Sequence, residues 1–471
     1  MVFMQKLAVI DVVGLTPDLI CEYTPNIRRF MESGKLATVE AAVPAVTTTA
    51  QTTYLTGVNP DQHGIVGNGW MFRDEMEIKF WRQSNRLVKH QKLWEAAKEI
   101  ATERGEEFTV ANMFWWYAMN ATTDFAATPR PMYPSDGRKL PDVYTWPTEL
   151  RDELQADLGQ FPLFEFWGPN SSINSTQWIA DASQRMVERF DPTLTLIYLP
   201  HLDYGLQRYG PDKIAMADDL RAVDRVVGQL LDFMAQHGRE VVVLSEYGIT
   251  PVDTPVHLNR AFRQKGWIAY RMEVGREMLD PGMCQAVAVA DHQIAHVYVN
   301  DPSIMREVRS VVESMTGVAE VLDKDEQKKY GLNHERSGEL VALAEPTAWF
   351  TYYYWLDDKY APDYARTVDI HRKPGYDPVE LFFDPVLPAP RLKAAYKVAR
   401  KKLGFRYLMD VTPLDATLVK GSHGVRTAPG EGPLFITQRA DYLQSDAIKA
   451  TDVYDLLMQH LMAGEMQASN S

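Results

Sequence analysis

The sequence has only two cysteines, Cys21 and Cys284, in 471 residues. Two distant thiols make neither a disulfide framework nor a cysteine-rich metal site, so nothing points to an oxidising compartment. Both are expected to be core thiols. Long apolar runs are also missing: no stretch reaches the roughly 18 residues that a membrane-spanning helix needs. The first apolar run, Leu7–Val13, is short for the core of a secretory signal, and no small-residue cleavage site follows it. A cytoplasmic location is therefore the expectation. Positive charge is scarce, with 49 Lys and Arg against 63 Asp and Glu, a formal net charge of −14. That balance disfavours a nucleic-acid polymer or an anionic membrane as the main partner. It leaves room for a small anionic substrate, because a bound metal can dominate the local field. Oligomeric state is not legible.

What is present is an alternation of strand and helix signals. Leu7–Val13 is a continuous β-branched apolar run, as a strand buried on both faces requires. Gly14 and Thr16-Pro17-Asp18 then give a turn, and Leu15–Ser33 is predicted as a helix. Leu194–Leu199 and Val241–Leu244 repeat the strand signal, each after a helical stretch, at 181–190 and 216–237. The pattern predicts an α/β fold, with a mostly parallel central sheet, helices on both faces and inserted lid or cap segments. The catalytic core is expected over 1–300 and 411–460. An irregular, Pro- and Trp-rich insertion is expected at about 114–175, a cap at 301–410 and a flexible tail at 461–471.

Ligands of such sheets bind at the carboxyl ends of the strands. Asp11 lies near the end of the first strand, and Asp203 and Glu246 lie just past the other two. Singly, each carboxylate reads as a helix cap. Three together repel one another and call for a divalent cation. The run Thr47-Thr48-Thr49 precedes a helical stretch, where a hydroxyl caps the helix or sits in its anion-friendly field.

The stretch Pro44–Asn68 (PAVTTTAQTTYLTGVNPDQHGIVGN) resembles the nucleotide pyrophosphatase/phosphodiesterase branch of the alkaline phosphatase superfamily. The P-x-x-T element is Pro44 to Thr47, the T-G is Thr56-Gly57, and P-x-x-H-G-I-x-G-N is Pro60 to Asn68. Phosphonoacetate hydrolases look similar too. The resemblance implies a metal-dependent hydrolase of phosphate esters that works through a covalent phospho-threonine. It implies that Thr47 is the nucleophile and that Asn68 donates to a phosphoryl oxygen. Asp203 with Gly210-Pro211 sits like the family's D-x-x-x-H-x-x-G-P, Ser245–Gly248 like S-D-H-G, and Gly421–Gly424 like G-x-H-G. The implied metal ligands are Asp11, Thr47, Asp203, Gln207, Glu246, Tyr247 and His423, around two divalent ions.

The sequence departs from that pattern. Gln207 and Tyr247 stand where the family has His, Glu246 where it has Asp, and Val13 where it has the first-strand Asp, with Asp11 two residues earlier. A shift of two keeps a side chain on the same strand face. An oxygen-rich set suits Mn²⁺, Mg²⁺ or Ca²⁺ better than zinc. A retuned two-ion enzyme, a one-ion enzyme and a catalytically altered binder of a phosphorylated metabolite all stay open. His201, Asp291 and His292 are the first substitutes for missing ligands, ahead of His296 and His371. Arg130, Arg138, Lys139 and Lys373 are candidates for substrate anion contacts, although surface ion pairs are the plainer role. A nucleotide diester and a sugar or cyclitol phosphate both remain as substrates.

Overall fold

The computed structural model describes residues 4–405 and 407–463; of the expected tail, residues 464–471 lie outside the described residues. The chain forms a nine-stranded sheet from β1 (Leu7–Val12), β2 (Lys35–Glu40), β3 (Val110–Met113), β4 (Phe125–Pro129), β5 (Val143–Trp146), β6 (Leu194–Leu199), β7 (Glu240–Leu244), β12 (Leu434–Thr437) and β13 (Ala447–Lys449). A separate sheet holds β8 (Ala286–Asp291), β9 (Ile294–Val299), β10 (Val318–Leu322) and β11 (Leu340–Ala344). The principal helices are α1 (Pro25–Glu32), α2 (Thr47–Thr56), α3 (Leu93–Arg104), α4 (Leu150–Leu158), α5 (Ile173–Phe190), α6 (His201–Tyr209), α7 (Ala217–Gln236), α8 (Pro390–Lys402) and α9 (Asp452–Met462).

The large sheet has the order β13-β2-β12-β7-β1-β6-β3-β4-β5. Its centre, β7-β1-β6-β3-β4, is parallel, while β12 and β5 join antiparallel. Every residue of β1 and β6 is buried, the outcome expected of β-branched runs covered on both faces. Helices α5 and α7 pack together, as do α2, α3 and α9, so helices cover both faces. In register, Asp11 lies opposite Tyr198 of β6 and Leu244 of β7, which brings three strand ends to one edge.

Three local expectations are corrected. The helix predicted over Leu15–Ser33 is a short 3₁₀ turn at Pro17–Leu19 followed by α1. Pro25 has no N–H to give to a helix interior and suits its first position, so the helix starts there. The insertion at 114–175 is not wholly irregular, since β4 and β5 extend the sheet edge and α4 follows them. Cys284 is buried, but Cys21 is only partly so.

The second sheet is antiparallel, with the order β8-β9-β11-β10. Its apolar core takes in Val256, Leu258, Phe262 and Trp267 as well as Tyr352–Trp355, so the expected boundary at residue 301 falls inside this unit. The segment 369–381 is fastened by a buried ion triad. Lys373 Nζ lies 2.7 Å from Asp377 and 2.6 Å from Glu380, all at most 3% exposed in their side chains. Trp167 Nε1 donates to Glu380 at 2.6 Å. Removing the cation leaves two buried carboxylates facing each other, so Lys373→Met is expected to cost about 3 kcal/mol or more. Chemical denaturation measures this; a loss below about 1 kcal/mol would show that the triad fastens nothing.

Candidate active site

Thr47 is the first residue of α2, and extended Val46 precedes it. All ten residues of α2 are buried, and Gly57 ends it at a φ of 70°, a left-handed conformation that glycine adopts without a Cβ clash. Asp203 lies in the first turn of α6, directly after β6. Glu246 and Tyr247 follow β7, and His423 follows a short bridge strand at Gly421–Ser422. Asp291 ends β8, and His292 turns the chain toward β9 with a φ of 61°.

A hydrogen-bond chain links these elements. Tyr247 Oη donates to Asp203 Oδ1 at 3.2 Å and lies 3.2 Å from Thr47 Oγ1. The phenol has one proton and gives it to Asp203, so the threonine hydroxyl is the donor to Tyr247. Gln207, one helical turn after Asp203, donates to Asp203 Oδ2 at 2.7 Å and accepts from Tyr376 Oη at 3.0 Å. Four rings form a column beside this chain. Tyr247 stacks on His423, His423 on His292, and His292 on Tyr376, each pair 3.6 Å between centroids.

Asp11 sits one step lower, in a closed group with Glu246. Gln51, four residues after Thr47 on the same helix face, donates to Glu246 at 2.6 Å and to Asp11 at 3.4 Å, and accepts from the Trp116 N–H at 2.7 Å. Asn68 is clamped next to the start of α2. Its Oδ1 accepts from Thr48 N–H at 3.1 Å, its Nδ2 donates to Asp291 at 3.2 Å, and its own N–H donates to Asp291 at 2.7 Å.

The fold therefore gathers Thr47, Asn68, Asp11, Asp203, Gln207, Glu246, Tyr247, His423, Asp291 and His292. It does not bring in His201, whose ring bonds to Asp219 of α7 at 3.0 Å, or His296, which bonds to Val66 O at 2.8 Å. Lys373 is held in its triad and Arg138 pairs with Asp136. Gln51 and Tyr376 were not singled out from the sequence. The i+4 spacing from Thr47 was the available signal for Gln51. Tyr376 offered none, because only the fold returns residue 376 to α6 and the end of β8.

The resemblance implies divalent cations, and the residues present fit one position better than the other. Around Glu246 and Tyr247 the fit fails. Val13 offers no donor atom, Glu246 is bound to Gln51 and Asp11, and Tyr247 donates its proton to Asp203. Around Asp203 and His423 the fit is better. His423 Nδ1–H donates to Ala45 O at 2.7 Å, which leaves a bare lone pair on Nε2. That nitrogen is buried, has no hydrogen-bond partner, and lies 3.9 Å from Asp203 Oδ1. Among the described residues, no three His, Cys, Asp or Glu side chains group to hold an ion. Water would have to complete this position, because Gln207 turns its NH2 group to Asp203 and its oxygen to Tyr376.

Burial without cationic partners governs the titrations. It raises Asp203, Glu246 and Asp291 each to about 7, against the lowering effect of their hydrogen bonds. Asp11 is raised well above the usual range, first by burial and then by Glu246. Burial also lowers His423 to about 3 and holds His292 well below its ordinary value. These carboxyls titrate near about 4 when unfolded, so the folded state holds extra protons between about pH 4 and pH 7. The resulting stability is full below the unfolded value and is lost as pH rises through the folded one. Unfolded imidazoles are still half protonated near pH 6.5, so the buried His423 and His292 work in the opposite sense until about pH 7.5. The carboxyl contribution is therefore read as a difference: with a chelator present, the Tm of wild type is expected to fall relative to that of Glu246→Gln from about pH 6.5 to about pH 8. A difference that is flat or rises over that window contradicts the assignment.

The family profile described as type I phosphodiesterase / nucleotide pyrophosphatase matches residues 7–377. An uncharacterised pyrophosphatase/phosphodiesterase of Schizosaccharomyces pombe is 23% identical over 256 residues, 53% of this chain and 46% of the relative. The chain thus matches less than half the length of that curated relative. Murine ectonucleotide pyrophosphatase/phosphodiesterase 5, in an inactive form complexed with AMP, has a similar fold (TM-score 0.57, 15% identity, 98% of this chain and 95% of that one). Phosphonoacetate hydrolase from Sinorhizobium meliloti 1021, in complex with phosphonoacetate, is also similar (TM-score 0.59, 14% identity, 98% and 96% covered). The expected α/β architecture is thereby the one these two structures share, and the chain belongs to the type I phosphodiesterase/nucleotide pyrophosphatase family.

Proposed function

We propose that the chain hydrolyses small phosphate esters through a covalent intermediate on Thr47. The supporting observation is the hydroxyl of Thr47 at the start of α2, donating toward a phenol that itself donates to Asp203. The N-terminal end of α2 offers partial positive charge to an incoming phosphoryl group. Asn68, fixed by Asp291, lies beside it as a second donor. As Thr47 Oγ1 bonds to phosphorus, its proton passes to Tyr247 Oη, and the Tyr247 proton passes to Asp203 Oδ1. The ester oxygen departs, and water then hydrolyses the phospho-threonine. Asp203 and His423 would hold a divalent cation, which supplies Lewis-acid charge to phosphoryl oxygens. The closed column from Tyr247 to Tyr376 keeps bulk water away from the hydroxyl.

Mono- and diesters are both compatible with this chemistry, and AMP and phosphonoacetate, the ligands of the structural relatives, are the natural first compounds to try. A cytoplasmic site of action remains part of the proposal. A second reading, a binder of phosphorylated metabolites without turnover, is favoured by the poor fit of the position around Glu246 and Tyr247 to a cation.

Turnover of bis-p-nitrophenyl phosphate and p-nitrophenyl phosphate, with Mn²⁺, Zn²⁺, Mg²⁺ and Ca²⁺ added in turn, separates the two. Thr47→Ala is expected to lower kcat by about 100-fold or more with an unchanged Tm. Near wild-type turnover by that variant contradicts the nucleophile assignment. Wild type inert under every ion, yet stabilised by a phosphate ester, supports the binding reading.

A further inference from the structure

The segment between Asp384 and Asp410 differs in character from the rest of the chain. It carries seven basic residues (Arg391, Lys393, Lys397, Arg400, Lys401, Lys402 and Arg406) and no Asp or Glu. Taking those seven from a net charge of −14 leaves the remainder at −21. The overall charge, which disfavours an anionic surface, averages over this segment and conceals it.

In the segment's helix, α8, no residue from 390 to 400 is buried. Leu392, Tyr396, Ala399 and Leu403 are spaced i, i+4, i+7 and i+11, which puts them on one stripe. Leu403 just follows the helix and keeps its turn, donating to Ala399 O at 3.2 Å. Leu392 is 71% exposed, Tyr396 63% and Leu403 75%, and Phe405 extends the apolar surface at 58%. On another face, Lys393 and Lys397 both pair with Asp410 and tie the helix to the returning chain. A 13-residue helix draws little stability from propensity alone, and an amphipathic one needs something on its apolar stripe.

We propose that α8 docks the protein on an anionic lipid surface. The apolar stripe enters the acyl boundary, and the flanking Arg and Lys meet headgroup phosphates. Charge complementarity with the apolar stripe selects this partner: an anionic bilayer offers negative charge and an apolar phase together, with no matching groove required. The other exposed large apolar residues, such as Trp146, Ile214, Val274 and Met283, belong to separate parts of the chain. The acidic remainder is repelled by the same surface, so contact is confined to α8 and its flanks.

Co-sedimentation of the full chain with vesicles tests this. Vesicles of phosphatidylcholine alone are compared with vesicles containing about one-third phosphatidylglycerol, at low and high salt. Wild type is expected to partition at least about tenfold better onto the anionic vesicles, and salt should reduce the difference. Leu392→Asp/Leu403→Asp and Arg391→Glu/Arg400→Glu should each lose that binding about tenfold with an unchanged Tm, because Leu392, Arg391, Arg400 and Leu403 are all exposed. Equal partition onto both vesicles, or variants that bind like wild type, would overturn the proposal. So would light scattering that shows lipid-free self-association abolished by either variant, which would make a second copy the partner.

Discussion

Four buried carboxyl groups crowd one edge of the sheet, and among the described residues none is paired with a cation: His292 and His423, each 3.9 Å from one of them, are held neutral by burial. Uncompensated charge in such a place is prohibitive. The site is organised around ways of avoiding it. Asp11 and Glu246 are both raised by burial and share the amide of Gln51. Asp203 receives a phenol proton and an amide proton, and Asp291 receives two N–H donors from Asn68. The neutral imidazoles of His292 and His423 stack between two tyrosines, an arrangement that a charged ring would not keep without a counter-ion.

The departures from the family pattern become coherent under this constraint. A phenol at position 247 and an amide at 207 bring protons to Asp203 where imidazoles would bring lone pairs to a cation. Glu246 reaches back to Asp11, the carboxylate that has moved two residues down the strand. In the proposed mechanism the Tyr247 phenol then handles the proton of Thr47. The Nε2 of His423, buried and without a hydrogen-bond partner, faces the carboxylate that the family pattern leaves unaltered.

Much of this was legible in the sequence. The central strands are continuous β-branched runs, and a run buried on both faces has few alternatives. The motif from Pro44 to Asn68 put Thr47 and Asn68 in one place because it spans only α2, a one-turn helix at Pro60–His63 and the short loops around them. The rest depended on contacts distant in sequence. Tyr376 meets Gln207 only through the fold of the second sheet, and Gln51 gains its role from Glu246, 195 residues away. Strands β4 and β5, at one end of the sheet, were hidden among Pro, Gly and Trp residues, whose local signals indicate loops. The basic segment around α8 disappeared into the average charge.

Asp203 with His423 is the cation position that the residues fit, and the surroundings of Glu246 and Tyr247 are not. Equilibrium dialysis of the purified chain against Mn²⁺ or Zn²⁺, with bound metal counted per chain, tests this most directly. The account predicts about one ion per chain, lost in His423→Ala and retained in Glu246→Gln. About two ions per chain, or binding that survives His423→Ala and disappears in Glu246→Gln, would contradict it.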